Sequence, residues 1–123
     1  MSYIQRFTVP VTTIADGSAT AYSASFSGKI VHIAYVKTDF AAGVDFTITA
    51  ENTGETIWTQ ADVNATATVA PRQAVHTTAG VAALYAAGGS AVLDQIALAN
   101  DRVKIVIAQG GNVKTGTFYI LVE

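Results

Sequence analysis

Between Val44 and Thr49 apolar and polar residues alternate: Val44, Phe46 and Ile48 on one side, Asp45, Thr47 and Thr49 on the other. A repeat of two sends successive side chains to opposite faces of an extended backbone, so the segment predicts a half-buried strand. The preceding run, Ile30 to Lys37, is apolar on both faces, with Ile30, His32, Ala34 and Val36 against Val31, Ile33 and Tyr35. Such a run belongs at the centre of a sheet or beneath a second layer. A turn at Gly43 separates the two runs, and a second turn at Asn52-Thr53-Gly54 leads to Ile57 and Trp58. Lys29 to Thr59 is therefore expected to form a β-meander with one dry face, against which the rest of the chain packs.

The flanking segments carry the same signal. Tyr3 to Val11 reads as a strand with Phe7, Val9 and Val11 on one face, and Pro10, which cannot donate to a ladder, puts it at a sheet edge or its end. After the turn signal Asp16-Gly17-Ser18, the residues Thr20, Tyr22, Ala24 and Phe26 recur at period two, and Ser27-Gly28 is expected to close that strand. Near the C-terminus Val103, Ile105 and Ile107 alternate with polar or small residues. Gly110-Gly111-Asn112 then reads as a hairpin turn, and Phe118, Ile120 and Val122 share a face of the returning strand. The connections are too short for parallel crossovers, which need about a dozen residues. With a short strand over Gln95 to Leu98 the count is about seven or eight, and the expected fold is all-β, an antiparallel β-sandwich, jelly-roll-like.

From Gln60 to Leu93 the character changes to Ala, Thr, Val and Gly with few charges. Thr66 to Val69 predicts a short strand ended by Ala70-Pro71. Val81 to Ala87 is Ala-rich enough for a helical turn but too short to hold a helix alone. A connection of about 60–93 is long for a compact domain, and long loops of this kind are usually functional or disordered. It is the first candidate for a contact surface.

At 123 residues the chain is expected to be one domain, able to bury roughly two thirds of its unfolded surface without covalent staples. Only 13% of residues are charged, against about 25% in an average soluble domain, which suggests that part of the surface lies against something else. The net charge of −2 and the scattered Lys and Arg residues argue against nucleic acid as a partner. No cysteine is present, so disulfides and thiolate chemistry are excluded. The N-terminus lacks the pattern of a secretory signal, and no apolar run approaches the roughly 20 residues that span a bilayer, so no membrane association is expected.

Candidates for chemistry are few. His32 lies mid-strand and His76 in the loop PRQAVHTTAG, with no serine or carboxylate at a diagnostic spacing. No G-x-S-x-G, H-E-x-x-H or P-loop pattern occurs, and no enzyme activity or cofactor is expected. Asp39 and Asp45 flank the turn DFAAGVD, and with Glu51 and Glu55 they offer the oxygens a hard cation takes, but the spacing fits no EF-hand and acidic turn formers are the simpler reading. Trp58 reads as a core anchor.

Taken together, KIVHIAYVKTDFAAGVDFTITAENTGETIW, the loop APRQAVHTTAG and the ending NDRVKIVIAQGGNVKTGTFYILVE resemble a family of small virion proteins of tailed bacteriophages. The likeness covers nearly the whole chain through structural motifs and contains no catalytic residue. It implies a β-sandwich decoration or cement protein, made in the bacterial host cytoplasm and located on the virion capsid surface. The implied partner is the major capsid protein, and the implied oligomer is a homotrimer. On that reading the contacts are expected from the N-terminal segment, Tyr3, Ile4, Arg6 and Phe7, and from the loop residues Arg72, His76, Leu84 and Tyr85. Another virion β-sandwich, in a tail tube, head-completion ring or spike base, is the alternative. A carbohydrate-binding module is a further one, requiring Tyr22, Tyr35, Trp58 or Tyr85 exposed on one rim.

Overall fold

The computed structural model describes residues 3–123, and among them ten strands and no helix. The strands are β1 (Gln5–Thr12), β2 (Ala19–Tyr22), β3 (Phe26–Lys37), β4 (Val44–Ala50), β5 (Thr56–Val63), β6 (Ala67–Val69), β7 (Arg72–Ala74), β8 (Leu93–Asp101), β9 (Val103–Ala108) and β10 (Thr115–Val122). One sheet has the order β1-β10-β3-β8-β7, with β6 also paired to β3, and the other has the order β2-β9-β4-β5. Every pairing is antiparallel. The chain crosses from one sheet to the other at six of its nine connections, and the two orders β1-β10-β3-β8 and β2-β9-β4-β5 are those of a jelly roll.

Alternation explains the layering. In β10 every second residue is buried, and Phe118, Ile120 and Val122 face Val103, Ile105 and Ile107 of β9 across the sandwich. At the centre Tyr35, Phe46 and Phe118 meet with ring centroids 5.1 to 5.3 Å apart, and Trp58 stands edge-on to Phe46 at 4.7 Å. Each such ring contributes about 1.5–3 kcal/mol on burial. The edge position read from Pro10 is observed, since β1 ends its sheet.

Four expectations need correction. No meander forms over Lys29 to Thr59, because β3 and β4 lie in opposite sheets and only β4 and β5 make a hairpin. The Gly110-Gly111-Asn112 turn joins no hairpin either: β9 and β10 are also in different sheets. Two packed sheets stand about 10 Å apart where hairpin strands stand about 4.8 Å apart. Left-handed backbone at Gln109 (φ 59°), Gly111 (φ 93°) and Val113 (φ 50°) turns the chain through that larger step. Ser27-Gly28 does not end a strand but lies inside β3, where the register to β8 shifts. The count rises from seven or eight to ten: β6 falls within the short strand expected over Thr66 to Val69, and β7 is the strand with no counterpart in the sequence reading.

A further shift explains why β3 reads as apolar on both faces. Val122 pairs with Ile30 and Leu121 with His32, so Val31 is an extra residue in the ladder. This bulge reverses the phase of alternation. Ile30 therefore faces inward together with Ile33 and Tyr35, although they fall on opposite sides of a strict period of two.

Candidate functional site

Beyond β7 the chain leaves the sandwich and returns only at β8, and the segment between is a small hydrogen-bonded lobe. The NH of Val75 donates to the Val92 carbonyl, Ala83 to Val75, and Val92 to Ala83, so three backbone segments hold one another. Two tight tips extend from this junction. One is closed by Thr77 donating to the Val81 carbonyl and Gly80 to Thr77, the other by Tyr85 donating to Ser90 and Gly89 to Ala86. The helical turn considered for Val81 to Ala87 is absent. Leu84 instead bridges to Ala91 as extended backbone, and Ala82 bridges to His76. Glycine at φ +79° (Gly80) and +71° (Gly88) supplies the left-handed positions of the two tips.

The chemistry of the lobe is uniform. From Gln73 to Leu93 there is no Asp, Glu, Lys or Arg, and no residue between Arg72 and Gln95 is buried. Val75, Val81, Leu84, Tyr85 and Leu93 are all exposed, Tyr85 at 77%. Large apolar side chains without charge, held on ordered backbone and clear of the core, are the composition of a contact surface.

The residues expected at a contact site fall into two places. Arg72, His76, Leu84 and Tyr85 come together at the lobe and its root. Arg72 is committed internally, donating from Nη1 to the carbonyls of Val31 (3.2 Å) and Pro71 (2.8 Å). Tyr3 and Ile4 are exposed ahead of β1, at the opposite edge of the same sheet. Four strand spacings, roughly 19 Å, separate that edge from β7. Arg6 lies with its guanidinium 5.3 Å from the centroid of the Tyr119 ring, and Phe7 stacks on Phe26 at 5.0 Å as part of the core margin. Phe7 is therefore a packing residue. Val75 and Val81 fall inside the loop Arg72 to Tyr85 expected to make contacts, Leu93 falls beyond it, and the run Gln73 to Leu93 without Asp, Glu, Lys or Arg is the signal that contains all three.

The remaining candidates have structural partners. Asp39 Oδ1 accepts from the backbone NH and hydroxyl of Thr115, and these hydrogen bonds lower its pKa below 3.8. Asp45 Oδ1 accepts from the NH of Asp62 at 2.8 Å. Both are turn formers, and among the described residues no three of His, Cys, Asp and Glu gather as a metal site would require. Glu51 pairs with Arg102 at 2.7 Å, and Arg102 also covers the Tyr22 ring at 3.9 Å. Of the four aromatics a sugar platform could use, Tyr35 is wholly buried and Trp58 nearly so, its Nε1 donating to Gln60 Oε1, while the exposed pair is divided between the sheets, Tyr22 in β2 and Tyr85 on the lobe between β7 and β8. Among the described residues no pocket opens, and no helix is long and apolar enough to cross a membrane.

No protein-family model matches the chain, and comparison with curated proteins and with solved structures likewise finds no match.

Proposed function

We propose that this chain is a virion structural protein that decorates the outside of a tailed-phage head and stabilises the shell by bridging neighbouring capsomers. The jelly roll does not carry this reading, since the same fold serves capsid and lectin domains alike. The observation that carries it is the lobe: an ordered, uncharged, apolar projection that the core does not use. The sequence resemblance supplies the partner, the major capsid protein, and the homotrimeric state.

The mechanism is linkage. A protein that binds the assembled lattice and not its separated parts shifts the equilibrium toward the shell. Each contact can be weak, because an oligomer engaging several sites gains by effective concentration. Uncharged surface suits the task, since its burial carries little cost of charge desolvation.

Measuring the copy number of this chain against the major capsid protein in purified particles tests the proposal. A number comparable to that of the capsid protein supports decoration. One ring's worth would move the chain to a neck or tail, and absence from particles would end the reading.

A further inference from the structure

The edge of β3 opposite β10 is occupied by two strands in succession. β6 pairs there with Ile33, Ala34 and Tyr35, and β8 with Phe26 through Ile30. Both run antiparallel to β3, so they point the same way along one line. They are two halves of a single strand position, interrupted between Val69, opposite Ile33, and Ile96, opposite Ile30.

The register across the interruption closes without a gap. On the other side of β3, Ile120, Leu121 and Val122 stand opposite Ile33, His32 and Ile30, skipping the bulged Val31. Val69, Ala70 and Ile96 would take the same three positions if Ala70 were joined to Ile96. The faces agree as well. Val69 packs on the core, Ala70 is exposed and Ile96 is buried, matching the inward, outward, inward order of Ile120, Leu121 and Val122. Residues 71–95 are thus surplus to the ladder.

They are also bonded mainly to themselves. β7 pairs only with the start of β8, and the turn and loop backbone hydrogen bonds of residues 75–92 all stay within 75–92. The side-chain hydrogen bond that ties 71–95 to the sandwich is Arg72 to the Val31 carbonyl, in the stretch of β3 between its pairing with β6 and its pairing with β8.

We infer that residues 71–95 are a separable binding module set into one strand of a jelly roll that is complete without it, and that this module docks on an uncharged protein surface of the shell. The docking half of this inference rests on the function proposed above. The partner follows from charge: from Gln73 to Leu93 there is no Asp, Glu, Lys or Arg, the one ionisable side chain of the His, Asp, Glu, Lys and Arg types is His76, and Arg72 at the root already donates to two carbonyls. The segment therefore offers no basic cluster to phosphate, sulfate or an anionic headgroup and fits a protein surface that is likewise poor in charge.

The test is a variant with Ala70 joined directly to Ile96, compared with the intact chain by circular dichroism, thermal melting and cosedimentation with purified heads stripped of this protein. The expected result is a cooperative β-protein melting within about 5 °C of the intact chain, with binding to heads reduced at least tenfold. A second variant, Leu84→Ser with Tyr85→Ser, leaves the backbone intact and is expected to lose binding alone. If the deletion variant is unfolded, the separable module is refuted, while the double variant still reports on docking. Unchanged head binding by the double variant, or binding of the intact chain to neutral phosphatidylcholine vesicles in place of heads, refutes the docking surface. Should the intact chain bind no heads, the proposed function falls, and the melting of the deletion variant still decides separability.

Discussion

Tyr35 places a hydroxyl in the middle of the aromatic core, and it is the one buried side-chain polar atom without a hydrogen-bond partner among the described residues. Burial raises its pKa, so the phenol stays neutral and its cost is one of lost hydration. Such a group costs about 1–3 kcal/mol. Tyr35→Phe is therefore expected to raise stability by about 1 kcal/mol, read as a higher urea midpoint with unchanged slope. Asp39 behaves oppositely. Its lowered pKa means that its contribution is complete above 3.8 and disappears as pH falls through the folded value, where protonation removes the charge that Thr115 binds. Asp39→Asn should melt lower than the intact chain near neutral pH, and the two melting curves should converge in acid. A residual acid slope is expected from Asp16, whose pKa is lowered by Ser18.

The elements show how a turn becomes part of the core. DFAAG has the composition of a connection, yet Phe40 is 2% exposed, lying over Gly116 of β10 and stacking at 6.1 Å on Tyr35. A Cβ at residue 116 would stand 2.5 Å from Phe40 Cε2. Phe40 is enclosed and has no open side to move toward, so Gly116→Ala is expected to cost about 1–3 kcal/mol, measured by denaturant unfolding. The same element level explains the crossing from β8 to β9, which takes one residue, Arg102. Asp101 is buried there and accepts from the NH groups of Arg102 (2.7 Å) and Asn52 (3.1 Å), replacing ladder bonds that the corner breaks. Nothing in the local sequence distinguishes that aspartate from the other turn carboxylates, because its role depends on Asn52, which arrives from another sheet.

For the whole molecule, an uncharged contact has a measurable consequence. Ion pairs weaken with salt because the Debye length falls from about 10 Å at 0.1 M to about 3 Å at 1 M, whereas apolar burial does not. Binding to heads is accordingly expected to change by less than about threefold between 0.1 M and 1 M NaCl. A steep loss would show that Arg6, Arg72 or another charged residue carries the contact. The proposed location of that contact was half visible in sequence. The absence of ionic residues over Gln73 to Leu93 marked the lobe, but the separation of Tyr3 and Ile4 from it by the width of a sheet was not marked at all.

Alternation along the chain was enough to establish an all-β protein, the inward residues of β1, β4, β9 and β10, and the edge position of the strand containing Pro10, because these depend on a residue and its near neighbours. Which strands lie side by side was decided by the tertiary structure alone. A strand with one apolar face satisfies that face equally by pairing with its successor in one sheet or by facing it across two, and a glycine-containing connection of a few residues permits both. β3 with β4, and β9 with β10, took the second course, each strand covering the inner face of the opposite layer, whereas β4 with β5 took the first. The bulge at Val31 and the lobe set into a split strand belong to the same category: both are defined by what lies opposite them, and a linear sequence does not record what lies opposite.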